Sequence, residues 1–572
     1  MLVATSRAAL MRLGLLSPDW PYWAVDTFIL LSIGCVVLVA AQRLYDHRSQ
    51  TADTALKTAG PPLANEPEAL KKFRWFQCLY LVVYLTVMLA DWLQGTNMYT
   101  LYQSYGVDVG ILFLTGFSSA AIFGTFLGLF VDRFGRRNGC IVFCLLEVVI
   151  NALEHVPDMR LLLLGRMLGG VSTSLLFSAF ESWMVSEHRK RAGFPEEWLA
   201  STFSAATVGN GIMAVLAGVI AQVASDQLGD IGPFQVAIAL TLLALSLLLL
   251  WDENYGYDQG SSESTSEGVI GRDGPAADHS ASPRKRASAR KRGTATAAAA
   301  TAEAATAAKT NGDGKGYGRD RGVDGDGRDR GGGGGEGGGR GGVGLRKSML
   351  VAWQCIASDQ RVLTLGLVQS FFEGGTYTFV FMWVPTLQGV VPGGVLPTGL
   401  IFSSFMMCIT MGGVLFSILL RMTSVEFSSV LVFLTAAASM AIPAATRDFH
   451  TVLTAFLVLE TCVGAFYSCS GLMRSRYIPD GLQSSVMNIF RFPLNVLVVV
   501  GTRMTDLAEP RTVFLGISSW FIISALLQLK LSASSARLGE GKARARRCAV
   551  LEGELRGVCR EGNGDTSVSK SD

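Results

Sequence analysis

Long apolar runs alternate along this chain with short polar breaks. A helix needs about 20 apolar residues to cross ~30 Å of hydrocarbon, and thirteen runs are of that order. The first, Trp23 to Ala41, stands apart. Six follow: Trp75 to Tyr99, Val107 to Val131, Gly139 to Val156, Leu161 to Ser186, Leu199 to Ala224 and Phe234 to Trp251. Another six come after a polar stretch: Val362 to Leu387, Leu396 to Leu420, Phe427 to Thr446, Val452 to Met473, Leu482 to Thr502 and Val513 to Leu531. The pattern predicts an all-α polytopic membrane protein, two pseudo-symmetric six-helix halves around a midplane site behind an extra N-terminal transmembrane helix. The expected divisions are 1–72 (extra helix and cytoplasmic loop), 73–251 (first bundle), 252–347 (linker), 348–531 (second bundle) and 532–572 (tail).

Charge agrees with a membrane chain. Hydrophobic residues make up 49% of the sequence and charged ones 17%, against about 25% charged in soluble domains. Short loops that hold Lys and Arg stay in the cytoplasm. If the loop after Val131 is inside, the inner short loops hold 15 such residues and the outer ones four, Arg160, Arg447, Arg503 and Arg511. Thirteen crossings then put the N-terminus outside and the tail inside. The segment Met1 to Leu16 carries Arg7 and Arg12 and no acid, so its alternative is a cleaved signal. Asp26 within the run and the lack of a small-residue cleavage site after Ala41 favour a retained helix.

The stretch Asp252 to Lys347 holds 24 glycines, 16 of the 49 Lys and Arg residues, and the block Gly331 to Gly342. It has too little apolar surface to offset the entropy of folding and reads as a disordered cytoplasmic tether. Within it, Pro283 to Arg292 is a basic run that could meet anionic lipid or present Ser288 to a basophilic kinase; a solvated charge run is the plainer account. The ten cysteines form no C-x-x-C pair and mostly sit in apolar runs, which favours buried thiols. With five histidines, no metal-ligand cluster and no P-loop, the sequence supports neither enzyme chemistry nor ATP-driven work. No metal and no cofactor is expected.

Between the second and third of the six-helix runs stands Gly128-Leu-Phe-Val-Asp132-Arg133-Phe-Gly135-Arg136-Arg137. The spacing G-x-x-x-D-R-x-G-R-R resembles the signature loop of major facilitator superfamily transporters. That resemblance implies a conformational loop in which glycines allow close helix approach and Asp132, Arg133, Arg136 and Arg137 lock one closed state.

Polar groups inside the apolar runs are costly and therefore candidate functional residues. They are Asp91 and Gln94 on the first bundle helix, Arg166 and Glu181 on the fourth, Glu373 on the seventh and Glu460 on the tenth, with Asn488, Arg491 and Asn495 on the eleventh. The last three recur at i, i+3 and i+7, on one stripe of a helix. Glu373, Glu460 and Arg491 each lie about ten residues from a helix end, or ~15 Å at 1.5 Å per residue. The plain alternative for each is an internal ion pair between helices.

Several of these residues fall in segments with a narrower resemblance. Ala90-Asp-Trp-Leu-Gln94 with Tyr99-Thr-Leu-Tyr-Gln103, Gly165-Arg-Met-Leu-Gly-Gly170, Ser172 to Trp183, Phe194-Pro-Glu-Glu-Trp198, Glu253-Asn-Tyr255, Ser358 to Leu363, Ile401 to Met406, and Asn488 with Phe490-Arg-Phe-Pro493 are similar to the molybdate-anion transporter branch of the superfamily. It implies a secondary active carrier importing a molybdate oxyanion at high affinity by alternating access. The residue chemistry is compatible: a tetrahedral dianion stripped of water needs guanidinium forks and neutral donors, and Arg166, Arg491, Gln94, Asn488 and Asn495 are the expected substrate ligands. Asp91, Glu181, Glu373 and Glu460 are expected to be protonated or ion-paired when the dianion binds, as a proton-coupled cycle would use. Moving two negative charges inward against 100 mV costs ~4.6 kcal/mol at ~2.3 per charge, which two protons would cancel. The expected partners are the oxyanion, the lipid bilayer and protons as candidate coupling ion, with no nucleic acid. The carrier is expected to act as a monomer in the plasma membrane, with an endomembrane as the alternative. Rival functions are a carrier for another anion or an organic solute, and a non-transporting membrane sensor or scaffold.

The tether makes a first prediction. Deleting Gly260 to Gly342 leaves surface expression and uptake within about twofold of wild type, because a disordered linker contributes reach rather than packing. Immunoblotting of surface protein and substrate uptake check it, and a collapse of either shows that the segment folds or regulates.

Overall fold

The structure is a computed structural model, and it describes residues 2–12, 17, 19–54, 66–123, 131, 134–191, 194–254, 352–392, 396–478 and 483–534. Among the described residues, each of the thirteen apolar runs falls on a helix. Helix α1 is Leu2–Arg12 and α2 is Tyr22–Thr54. Then come α3 (Glu66–Tyr105), α4 (Val109–Phe123), α5 (Arg136–Leu153), α6 (Met159–Lys190), α7 (Glu196–Leu228) and α8 (Gly232–Leu248). The second series is α9 (Gln360–Gln388), α10 (Thr398–Met422), α11 (Val425–Ala445), α12 (Phe449–Tyr477) and α13 (Gln483–Leu507), with α14 over Pro510–Ser534. No strand occurs among the described residues. Eight of the described helices are long and apolar enough to cross a membrane, and α4 and α8 are shorter apolar helices. The linker from 255 to 347 and the tail beyond 534 lie outside the described residues.

Helix ends follow local chemistry. Asp158 accepts a hydrogen bond from Arg160 N, Ser424 from Phe427 N and Asp448 from Thr451 N, so side-chain oxygens satisfy amides that the first turns of α6, α11 and α12 leave open. Asp448 is held below the usual carboxylate range by these bonds from Thr451. Gly229 ends α7 in the left-handed region at φ 77°.

Two compact units emerge. The first comprises residues 1–315, 383–418 and 463–468, the second 316–382, 419–462 and 469–572. In the first, α3 packs on α7 and α8, and α6 on α4 and α5. Aromatic rings fill the centre: Phe143 meets Phe180 edge to face at 5.5 Å, and Trp183 stacks on Trp251 at 3.7 Å. An extra apolar knot joins Trp20, Ala24, Val25 and Ile29 to Leu400. In the second unit Phe372 packs against Phe433 and Phe521, with centroids at 5.1 and 4.8 Å, and Phe379 against Phe456 at 4.9 Å.

The second unit also contains the contact that fixes the register of α13. Phe490 is buried and its ring lies where a Cβ on Gly366 would stand. Ser370 Oγ reaches the Phe490 carbonyl at 3.4 Å. Arg491 follows Phe490 directly, so this seat sets its direction. Gly366→Ala should therefore lower stability by about 1–3 kcal/mol through overpacking. Thermal unfolding of the detergent-solubilised protein measures this, and an unchanged midpoint would show that the ring has room to shift.

Candidate functional site

One face of α3 carries Asp91, Gln94, Met98, Tyr102 and Tyr105, at helical spacing. Opposite it, α5 presents Glu147, Asn151 and Glu154 at i, i+4 and i+7. Glu147 is buried and accepts from Gln94 Nε2 at 2.7 Å and from Ser172 Oγ at 2.5 Å. Asn151 Nδ2 donates to the Glu147 carbonyl at 2.7 Å. One turn further out, Glu154 Oε1 accepts from Tyr102 Oη at 2.9 Å and from Arg166 Nη2 at 2.7 Å. Arg166 Nη1 also reaches Met98 Sδ at 2.9 Å, and its guanidinium lies 5.9 Å from the Tyr102 ring centroid. Arg166 Nε and Glu154 Oε2 are buried without a hydrogen-bond partner among the described residues.

The sequence reading missed Glu147 and Glu154. The signal was present: they stand with Asn151 on one helical stripe inside an apolar run, the criterion that singled out Asn488, Arg491 and Asn495. Their presence changes what Arg166 and Gln94 are doing. Both expected substrate ligands are engaged by carboxylates in this conformation, and removing one partner of such a buried ion pair costs about 3–5 kcal/mol. Glu181 is buried with Oε1 unpartnered among the described residues, Asp91 is half-buried, and Tyr84 lies within electrostatic reach of both.

The turn at Gly135 that opens α5 is anchored by residues after α8. Gly135 has φ 105°, a left-handed value that favours glycine, and a Cβ there would stand 2.6 Å from the Glu253 carboxyl carbon. That carboxylate accepts from the backbone N–H of Arg137 at 2.9 Å and of Asn138 at 3.0 Å, so it caps the positive end of α5. Arg136 N donates to the Asn254 carbonyl at 3.0 Å. The Arg137 side chain donates to the Leu248 and Leu249 carbonyls, both at 3.2 Å. Asn254, fully buried, donates to Glu187 Oε2 at 3.2 Å and to the Trp183 carbonyl at 3.3 Å. The loop is thus tied to α6 and to the chain after α8. Gly128, Asp132 and Arg133 lie outside the described residues.

In the second unit, Gln369 Nε2 donates to Glu373 Oε1 at 2.7 Å. Glu460 is buried. Arg491 is exposed and Asn495 half-buried; Asn488 lies on α13, with its side chain outside the described residues. Among the described residues, Arg491 forms no ion pair with Glu373, Glu460 or any other acid, unlike Arg166. A charged cluster absent from the sequence reading occupies the α11–α12 end: Glu426 Oε1 accepts from Arg476 at 2.7 Å and from Tyr477 Oη at 2.8 Å. At the start of α9, Arg361 pairs with Asp359 at 2.6 Å and holds that carboxyl below its usual range.

An all-helical membrane body with an anchored signature loop and guanidinium groups within apolar helices defines a transporter of the major facilitator type. A family model described as sugar transporters with twelve transmembrane segments matches residues 52–268 and 337–465. The molybdate-anion transporter of Xenopus tropicalis is 32% identical over 444 residues, covering 75% of this chain and 78% of that one. That of Danio rerio is 31% identical over 494 residues, covering 83% and 85%. The chain belongs to the molybdate-anion transporter family of the major facilitator superfamily. The fold is that of solved carriers: the nucleoside transporter NupG has a TM-score of 0.53 at 11% identity, covering 80% of this chain and 98% of that one. An auto-inhibited peptide transporter of the POT family has 0.52 at 13%, covering 80% and 96%. These relatives and neighbours are transporters, not enzymes.

The cap on α5 can be tested directly. Glu253→Ala leaves two first-turn amides without their acceptor and should cost about 1 kcal/mol of stability, whereas Glu253→Asp retains part of it. Thermal unfolding with limited proteolysis at the loop reports both, and equal midpoints for Glu253→Ala and wild type would mean that water replaces the carboxylate without loss.

Proposed function

We propose that this chain is a secondary active carrier that takes up molybdate across a membrane by alternating access. The observation that carries the proposal is Arg491: a guanidinium on an apolar helix with no acid paired to it among the described residues. A structural arginine in that setting would be expected beside a carboxylate, as Arg166 is beside Glu154. An unpaired fork instead suits a tetrahedral oxyanion, whose oxygens accept two parallel N–H bonds. A sugar, which the family model's description mentions, is neutral and needs no such cation. The names of the relatives favour molybdate.

In this proposal Arg491 is the primary anion ligand, with Asn488 and Asn495 from the same stripe as neutral donors. Arg166 and Gln94 are secondary ligands within their own unit, released only when Glu154 and Glu147 give them up. Asp91, Glu181, Glu373 and Glu460 are the groups that would carry or balance protons. A dianion entering with fewer than two protons would move against an inside-negative potential at ~2.3 kcal/mol per net charge per 100 mV. The proposed site of action is the plasma membrane, with the monomer as the working unit.

The decisive experiment is uptake of labelled molybdate in a transport-deficient host, with sulfate as competitor. Uptake that sulfate does not suppress supports molybdate, full competition shifts the substrate to oxyanions generally, and no uptake at normal surface expression favours the sensor alternative. For Arg491, we expect Arg491→Lys to weaken apparent affinity about 10- to 100-fold, the worth of a charge-assisted bond at ~1.5–3 kcal/mol. Arg491→Ala should abolish uptake with surface expression intact. Wild-type kinetics in Arg491→Ala would remove this residue from the site and leave Arg166 as the candidate.

A further inference from the structure

The polar groups around the extra N-terminal helices form a relay that the transport proposal does not use. Arg7 on α1 donates to both carboxylate oxygens of Asp26 on α2, at 3.0 and 2.8 Å, and lies 4.5 Å from the Tyr22 ring centroid. This closes α1 and α2 into a hairpin and accounts for a carboxylate in an apolar run. Val3 and Met11 from α1 join Trp20, Ala24, Val25 and Ile29 against Leu400 of α10 and Val219 of α7. Ser32 Oγ also reaches Met407 Sδ at 3.3 Å, two turns beyond Leu400 and away from the first turn of α10.

At the end of the hairpin, buried Trp20 donates its indole N–H to Asp226 Oδ2 at 2.5 Å. The other oxygen of Asp226 accepts from Gln222 Nε2 at 2.9 Å. Gln222 Oε1 in turn accepts from the backbone N–H of Gly399 at 3.0 Å, a first-turn amide of α10 with no partner inside its own helix. The relay therefore ends on the tightest part of the α7–α10 crossing. A Cβ on Gly399 would meet the Gly218 carbonyl, and one on Gly218 would stand 2.5 Å from the Gly399 carbonyl. Ser403 Oγ donates to the Val215 carbonyl at 2.8 Å. Small residues let these backbones touch, and the side-chain bonds fasten them.

The N-terminal end of α2, the C-terminal end of α7 and the N-terminal end of α10 meet here, on one side. Thirteen crossings counted from an outside N-terminus put those three ends on the extracytoplasmic face. We infer that the α1–α2 hairpin is a latch: through Trp20, Asp226 and Gln222 it holds the first turn of α10 against α7 and keeps the outer end of that seam closed. The inference rests on the alternating-access proposal for its consequence, since a carrier must open this face to load substrate. By binding one arrangement of the seam and not the other, the hairpin biases the population between them.

Hydrogen exchange on the purified full-length protein in lipid nanodiscs tests the latch without substrate. In Trp20→Phe, which keeps the ring and loses the donor, and in Asp226→Asn, which keeps the shape and weakens the acceptor, amides 399–403 should exchange about tenfold faster than wild type. Amides of α11 and α12 should be unchanged. Ser32→Ala, on α2 but outside the relay, should leave 399–403 as in wild type. Unchanged exchange in both relay variants, or an equal rise in Ser32→Ala, overturns the latch. If Trp20→Phe does not reach the membrane, Asp226→Asn decides alone. Uptake by wild type separates the two proposals. Molybdate uptake with unaltered exchange removes the latch only, and faster exchange without wild-type uptake removes the transport proposal while the seam contact stands.

Discussion

Hydrocarbon offers no water to a polar group, and that single constraint organises the interior of this protein. Each buried polar side chain either finds a partner on a neighbouring helix or stands ready to receive one from outside. On the α3–α5–α6 face the first outcome prevails: Glu147 collects the Gln94 amide and the Ser172 hydroxyl, and Glu154 collects Tyr102 and Arg166. Arg166 neutralises Glu154 and neutral donors hydrogen-bond Glu147, and both sets of contacts hold the helices in register. On α13, Arg491 is exposed and has no acid paired to it among the described residues.

The same physics explains why charges at the helix ends are arranged as anchors rather than scattered. Glu253 caps α5 at a turn only glycine tolerates, and Asn254 ties that turn to α6 through Glu187. Glu426 with Arg476 and Tyr477 gives the second unit a comparable fastening at the α11–α12 end. Exposed ion pairs contribute little each, but these engage buried carboxylates and main-chain groups, where hydrogen bonds count for more.

Rings and glycines decide where helices can approach. Phe490 seated on Gly366 directs α13, and Gly218 against Gly399 brings α7 onto α10. Without a Cβ the backbones come close enough for side chains such as Gln222 and Ser403 to bond across the seam. In a membrane, where apolar surface alone does not drive helices together, such contacts carry much of the association.

The apolar runs on which the described helices fall were legible in the sequence, because the length of an apolar run is set by bilayer thickness and needs no partner to be recognised. Membership in the superfamily was legible too, in the spacing from Gly128 to Arg137. Polar residues inside apolar runs announced themselves one by one, but whether each is structural or free depends on what faces it across a helix interface, which spacing along one chain does not encode. Only the tertiary structure paired Arg166 with Glu154, twelve residues away around a tight loop, and left Arg491 without an ion pair among the described residues. Only it showed why Gly135 must be glycine, since the cause, Glu253, lies 118 positions further on, and why Asp26 can sit in an apolar helix, since Arg7 folds back to it. Hydrophobic length is a property of a segment; electrostatic satisfaction is a property of neighbours, and neighbours exist only once the chain has packed.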